Sequence, residues 1–120
     1  MRILIVEDET AAYENLADML VTIDPTLEIM GNTESVQQTV RWLQANPRPD
    51  LIFMDIHLSD GSAFAIFDQI EVEAPIIFTT AYDQYAIDAF KVNSIDYILK
   101  PIKSEELKRA LDKFSRWNHQ

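Results

Sequence analysis

Apolar residues fall in five short runs along the chain: residues 3–6 (Ile-Leu-Ile-Val), 27–30 (Leu-Glu-Ile-Met), 51–54 (Leu-Ile-Phe-Met), 76–78 (Ile-Ile-Phe) and 97–99 (Tyr-Ile-Leu). Four of the five are continuous rather than alternating, the pattern of strands covered on both faces, as in a parallel sheet between layers of helix. The second run alternates and carries Glu28, which suits a strand at the edge of the sheet. Between the runs the apolar period changes to three and four. Over residues 10–23, Tyr13, Leu16, Leu20 and Ile23 form one helical stripe. Ser35-Val-Gln-Gln38 is a capping-box pattern ahead of a stripe through Val36, Val40 and Leu43, and Pro47 and Pro49 end that helix. A third helix is expected after Gly61, through Phe64, Phe67 and Ile70, bounded by Pro75. A fourth, over residues 83–91, carries Tyr85, Ala86, Ala89 and Phe90. Ser104 is placed to cap the fifth, with Glu105 and Glu106 in its first turn and Lys113 and Arg116 toward its end, in keeping with the helix dipole. Strand and helix alternate five times, which predicts a doubly wound α/β domain with a five-stranded parallel sheet and five helices.

The 120 residues, 48% of them hydrophobic, are enough for one core and too few for two. Lys and Arg number 10 against 20 Asp and Glu, a formal net charge of −10. Such a surface repels nucleic-acid phosphates and anionic lipid, so direct binding of nucleic acid or membrane by this segment is not expected. No apolar run approaches the roughly 20 residues of a membrane span, and the run at residues 3–6 is too short for a signal peptide. Without cysteine there is no disulfide framework or thiolate chemistry, which fits a cytoplasmic setting.

In open parallel sheets, chemistry gathers beyond the carboxyl ends of the strands. There the chain places Glu7, Asp8 and Glu9 after the first run, Asp55 after the third, Thr79 and Thr80 after the fourth, and Lys100-Pro101 after the fifth. Carboxylates gathered from two strands repel each other unless a positive charge lies between them. A donor set of oxygens without sulfur or imidazole suits a hard cation, and spare positions for water and phosphoryl oxygen favour Mg²⁺ over Ca²⁺. Such a site combines a carboxylate nucleophile, an electrophilic clamp and a hydroxyl donor.

In order and spacing, 3–8 (Ile-Leu-Ile-Val-Glu-Asp), 51–55 (Leu-Ile-Phe-Met-Asp), 78–81 (Phe-Thr-Thr-Ala) and 96–101 (Asp-Tyr-Ile-Leu-Lys-Pro) resemble the receiver domain of bacterial two-component response regulators. The resemblance covers nearly the whole chain and implies the CheY-like strand order 2-1-3-4-5. It implies that Asp55 is the phospho-acceptor and that Asp8, Asp55, Glu7 (through water) and the His57 backbone carbonyl hold Mg²⁺, or Mn²⁺ in its place. It further implies Thr80 and Tyr97 as switch residues, the Ala81 N–H and Lys100 as partners of the phosphoryl group, and a cis Lys100–Pro101 bond. Residues 81–90 (Ala-Tyr-Asp-Gln-Tyr-Ala-Ile-Asp-Ala-Phe) and 55–61 (Asp-Ile-His-Leu-Ser-Asp-Gly) are similar to regulators that carry a LytTR-type DNA-binding domain, the LytR/AlgR-like group. That group implies an output domain absent from this chain, a histidine kinase or phosphotransfer protein as partner, and control of transcription. A free-standing receiver acting through protein–protein contacts is the alternative. A homodimer on phosphorylation is expected through Tyr85, Ala89, Phe90, Lys91, Val92 and Asp96.

The same residues count against two other readings. A flavodoxin-like electron carrier would need hydroxyls and N–H groups after the first strand, where this chain has three acids. An aspartyl-phosphate phosphatase would have a second aspartate two residues past the first, where this chain has His57. Beyond self-catalysed phosphoryl transfer and hydrolysis, no enzyme activity is expected. The side chain of His57 reads as solvent-facing, and Trp42 and Trp117 as covers at the edges of the core.

Overall fold

The computed structural model describes residues 1–82 and 94–118. The helix expected at 83–91, and with it Tyr85, Ala89, Phe90, Lys91 and Val92, lies outside them. The main sheet has five strands, here β1 (Arg2–Val6), β2 (Glu28–Thr33), β3 (Leu51–Asp55), β4 (Ile76–Thr80) and β5 (Ser94–Leu99). Their order is β2-β1-β3-β4-β5 with every neighbouring pair parallel. The reversal of strand order falls between β1 and β3, and a crevice opens there at the carboxyl edge. β2 is at the edge, as its alternation predicts.

Each continuous run feeds two cores. Leu4, Val6, Ile52, Met54, Ile76 and Phe78 point to one face, against Val36 and Val40 of α2 (Val36–Ala45) and Ile66. Ile3, Ile5, Leu51, Phe53 and Ile77 point to the other, against Leu16 and Leu20 of α1 (Thr10–Ile23) and Leu107, Ala110 and Phe114 of α3 (Ser104–Asn118). Alternation of side chains along a strand with both faces covered leaves no polar position in between. Phe53 and Phe78 are fully buried at the centre of the sheet.

Local chemistry sets the ends of these elements. The Ser35 hydroxyl accepts from the Gln38 amide at 3.0 Å, and the Gln38 side chain accepts from the Glu34 amide at 2.8 Å, one residue before the usual capping-box donor. Ser104 is the first residue of α3, not its cap, because the Leu107 amide donates to the Lys103 carbonyl at 3.0 Å. The third helix is shorter than its pattern predicts: a 3₁₀ turn, Ala63–Ile66, with Phe67 closing it. In 3₁₀ geometry residues three apart share a side. Ala63 and Ile66 are thereby buried together, and Phe64 and Phe67 both pack on Phe78, with ring centroids 5.4 and 6.3 Å away.

β2 continues to Thr33, beyond the apolar run that announces it. Its register slips between Ile3 and Leu4, whose partners are Ile29 and Gly31. The ring of Trp42 lies on Gly31, where a Cβ would stand 3.1 Å from Nε1. The Asn32 side chain then donates to the carbonyls of Ile5 and Glu7, each at 3.1 Å, tying the end of β1 to β2.

Candidate functional site

The carboxyl ends of β1, β3, β4 and β5 meet in a cleft of about 380 Å³ lined by Asp8, Glu9, Asp55, His57, Leu58, Ala81, Tyr82 and Lys100. Carboxylate oxygens of Glu7, Asp8 and Asp55 lie within 4.8 Å of one another, the grouping expected from the strand ends. Glu7 and Asp55 are buried, at 4% and 6% exposure, while Asp8 is half-buried. Acids so placed need positive charge. Lys100 supplies part of it, with Nζ 2.6 Å from Glu7 Oε1 and 3.1 Å from Asp55 Oδ2. The peptide bond Lys100–Pro101 is cis. The Lys100 amide donates to the Thr80 carbonyl at 2.7 Å, which sets this side chain at the mouth of the sheet.

Burial opposes the charge on Lys100, but the hydrogen bond to Glu7 and the attraction of Asp55 outweigh it, so its pKa is raised. Asp8 is shifted upward as well, first by burial and then by its hydrogen bond and repulsion with Glu7; its own backbone N–H and Lys100 only partly offset this. One ammonium is thus too little charge for three carboxylates. The donor set is all oxygen, converges from two adjacent strands and retains excess negative charge, which fits a hard divalent cation.

Around Asp55, the His57 amide donates to Oδ1 at 3.3 Å. His57 begins a short antiparallel ribbon, His57–Leu58 with Gly61–Ser62, in which His57 faces Ser62. The Ala63 amide donates to the Ile56 carbonyl at 2.7 Å, a bond flanking His57 and Ser62, which makes these two a non-hydrogen-bonded pair. Alternation along the ribbon turns the amide and carbonyl of His57 away from Ser62, toward the Asp55 side. Its imidazole is exposed, as expected, and meets the Tyr82 ring edge-on with centroids 5.1 Å apart.

Thr80 ends β4 and is fully buried. Its Oγ1 accepts from the Tyr82 amide at 3.2 Å. The Tyr97 hydroxyl donates to the Tyr82 carbonyl. The two residues implied as a switch therefore hold opposite sides of Tyr82, a motif residue to which the sequence gives no role of its own. Ala81 is exposed and lines the cleft. Asp96, on β5, accepts from the Tyr97 amide at 2.8 Å through its side chain. Trp42 packs against the core and Trp117 stacks on Phe114 at 6.5 Å, both outside the cleft. Among the described residues no helix is long and apolar enough to cross a membrane.

A parallel sheet of this order, with acids, a hydroxyl and a lysine gathered at its carboxyl edge, is a doubly wound α/β domain with its polar site at the strand-order reversal. The response regulator receiver domain model matches residues 3–112, and the chain belongs to that family. Sensory transduction protein LytT of Enterococcus faecalis is 40% identical over 119 residues, covering 97% of this chain and 48% of that protein. The chain thus spans about half the length of the curated relatives it matches. The response regulatory domain of MrkE from Klebsiella pneumoniae superposes with a TM-score of 0.84 at 34% identity, covering all of both chains. The response regulator TrrA of Thermotoga maritima, solved in complex with Mg²⁺-BeF, superposes with a TM-score of 0.77 at 28% identity, over 94% of this chain and 97% of that one. The chain is thus a response regulator receiver domain, similar to the receiver portions of LytT and LytR regulators, which sets aside the flavodoxin-like reading.

Proposed function

We propose that the chain is a phosphorylation-dependent switch in which Asp55 accepts a phosphoryl group from the phosphohistidine of a sensor kinase or phosphotransfer protein. The P–N bond of the donor breaks as a carboxylate O–P bond forms. The observation that carries this reading is Asp55 itself: a buried carboxylate at the end of a central strand, within 4.8 Å of two further acids and 3.1 Å from Lys100. Glu7, Asp8, Asp55 and the His57 carbonyl would hold Mg²⁺, or Mn²⁺ in its place. Bound there, the ion supplies charge neutralisation for an anion entering an acidic site.

The remaining work falls to the chain. Lys100 offers its ammonium to the incoming phosphoryl oxygens, and Ala81 its backbone N–H. The Thr80 hydroxyl accepts from Tyr82 and keeps its own proton to donate to a new acceptor in the cleft. Phosphorylation adds nearly two negative charges, which draw Thr80 and Lys100 toward Asp55. Once Thr80 moves, Tyr82 keeps only the bond from Tyr97 to its carbonyl, and the change is complete when Tyr97 lets go as well. In this reading the change passes to an output domain of LytTR type, and a homodimer forms through the face that includes Asp96. A free-standing receiver would use the same chemistry on a separate partner.

Intact mass after treatment with acetyl phosphate and Mg²⁺ tests the acceptor. One phosphoryl adduct is expected on the wild type and none on Asp55→Asn. An adduct of equal yield on both would place the chemistry elsewhere. Sedimentation of the beryllofluoride-treated domain tests the dimer, which fails if only monomer is found at high concentration.

A further inference from the structure

Asp60 lies outside the cleft, five residues past Asp55, with an exposed side chain. Both of its carboxylate oxygens are nevertheless engaged far away in sequence. Oδ1 accepts from the Val36 amide at 2.6 Å and Oδ2 from the Gln37 amide at 3.1 Å. These are the first two amides of α2, which have no partner within the helix. Ser59 adds bonds in the opposite sense: its amide and hydroxyl both donate to the Glu34 carbonyl, at 3.4 and 3.2 Å. The positive end of the helix favours a carboxylate there, and the pKa of Asp60 is accordingly lowered, chiefly by the bond from Val36.

Ser35 caps α2 only at the Gln38 amide, so Asp60 completes the helix start, and it does so from another loop. What the Asp60 contact adds is a fixed position for the ribbon. The segment is anchored at one end by Asp55 in the central sheet and at the other by Asp60 on α2. Between them is His57, whose amide is on Asp55 Oδ1 and whose carbonyl is turned to the same side. Next to Asp60, Gly61 adopts φ +139°, a backbone region open to glycine, and so turns the tip of the ribbon.

We propose that Asp60 is a positioning residue for the cation: by fastening the ribbon to α2 it holds the His57 carbonyl in line with the carboxylates of Glu7, Asp8 and Asp55. This rests on the reading of Asp55 as a metal-assisted phospho-acceptor. The test is Mg²⁺ titration by calorimetry on the whole domain, comparing wild type, Asp60→Ala, Asp60→Asn and Ser35→Ala. Partners that orient a ligand from outside its first contacts typically contribute about 10-fold or more in metal affinity. Asp60→Ala is expected to weaken Mg²⁺ binding by about 10-fold, and Asp60→Asn, which keeps one accepting oxygen, by less. Ser35→Ala removes a cap from the same helix terminus without touching the ribbon, so it lowers the melting temperature and leaves Mg²⁺ affinity unchanged. If both Asp60 variants bind Mg²⁺ like the wild type, or Ser35→Ala weakens it as much as they do, the inference is wrong. Should Asp60→Ala fail to fold, Asp60→Asn decides on the same criterion. Absence of Mg²⁺ binding by the wild type would sink the acceptor reading and this inference together; wild-type binding with unaffected variants sinks this inference alone.

Discussion

Replacing Lys100 by methionine isolates the electrostatics of the site. The side chain keeps much of its length and loses its charge, leaving Glu7 and Asp55, with side chains 5% and 8% exposed, without the ammonium that pairs them. At an effective dielectric constant near 20, opposite charges about 3 Å apart attract by roughly 5 kcal/mol, much of it offset by desolvation. Breaking a buried pair from one side costs about 3–5 kcal/mol. Lys100 keeps 21% of its side chain in water, so the lower end applies: about 3 kcal/mol. That is a large share of a domain's usual stability, roughly 5–15 kcal/mol. Urea unfolding at neutral pH in EDTA should show the loss. Mg²⁺ should then stabilise Lys100→Met more than the wild type, because no ammonium competes for the carboxylates; binding at about 100 times Kd is worth roughly 2.7 kcal/mol. The pH dependence has a definite sign. Asp8, with its pKa raised, contributes stability that is present below its unfolded value and lost as pH rises through the folded one. Removing the attraction of Lys100 raises it further, so the gap between variant and wild type should narrow as pH falls through the folded value of Asp8. The Lys100 pKa is also raised, so in the wild type its pairing is fully present below its unfolded pKa and fades only in alkali, as pH rises through the folded value. Equal urea midpoints in EDTA, or an equal gain from Mg²⁺, would refute the reasoning.

Asp8→Asn relieves the same repulsion, so it should raise the melting temperature in EDTA at neutral pH while removing the stabilisation that Mg²⁺ confers; calorimetric scans with and without Mg²⁺ check both. Gly61→Ala meets no atom within 4 Å but must hold φ +139°, and a side chain in so strained a region costs about 1–3 kcal/mol in urea unfolding. Gly31→Ala would set a Cβ 3.1 Å from Trp42 Nε1; displacing that half-buried ring should cost about 1 kcal/mol and shift the tryptophan emission.

Much of this was legible in the chain before folding, for physical reasons. A run such as Leu51-Ile-Phe-Met is apolar at every position because the sheet is covered on both sides, so the strands and the acids that follow them can be read locally. What escaped local reading depends on contacts distant in sequence. Asp60 before Gly61 reads as a turn residue, and its attachment to amides 23 and 24 residues away leaves no periodic trace. Gly31 and Asn32 are poor strand formers, yet β2 runs through both. Packing under Trp42 and the bonds from Asn32 to two carbonyls of the β1 end override their preference. The third helix is shorter than its pattern because Phe64 and Phe67 suit a helical stripe and a 3₁₀ turn alike. Only their common contact with Phe78 selects the tighter turn.

The grip on Tyr82 has a consequence for how a signal is read out. Thr80 takes the amide of that residue and Tyr97 its carbonyl, while the ring leans on His57 at the cleft. A residue clasped at both poles cannot swing halfway: with one clasp open, the other still resists rotation. In the switch proposed for Asp55, an output read through Tyr82 is therefore expected to act as a latch with a threshold, shut until both clasps let go, rather than as a dial that follows each small disturbance.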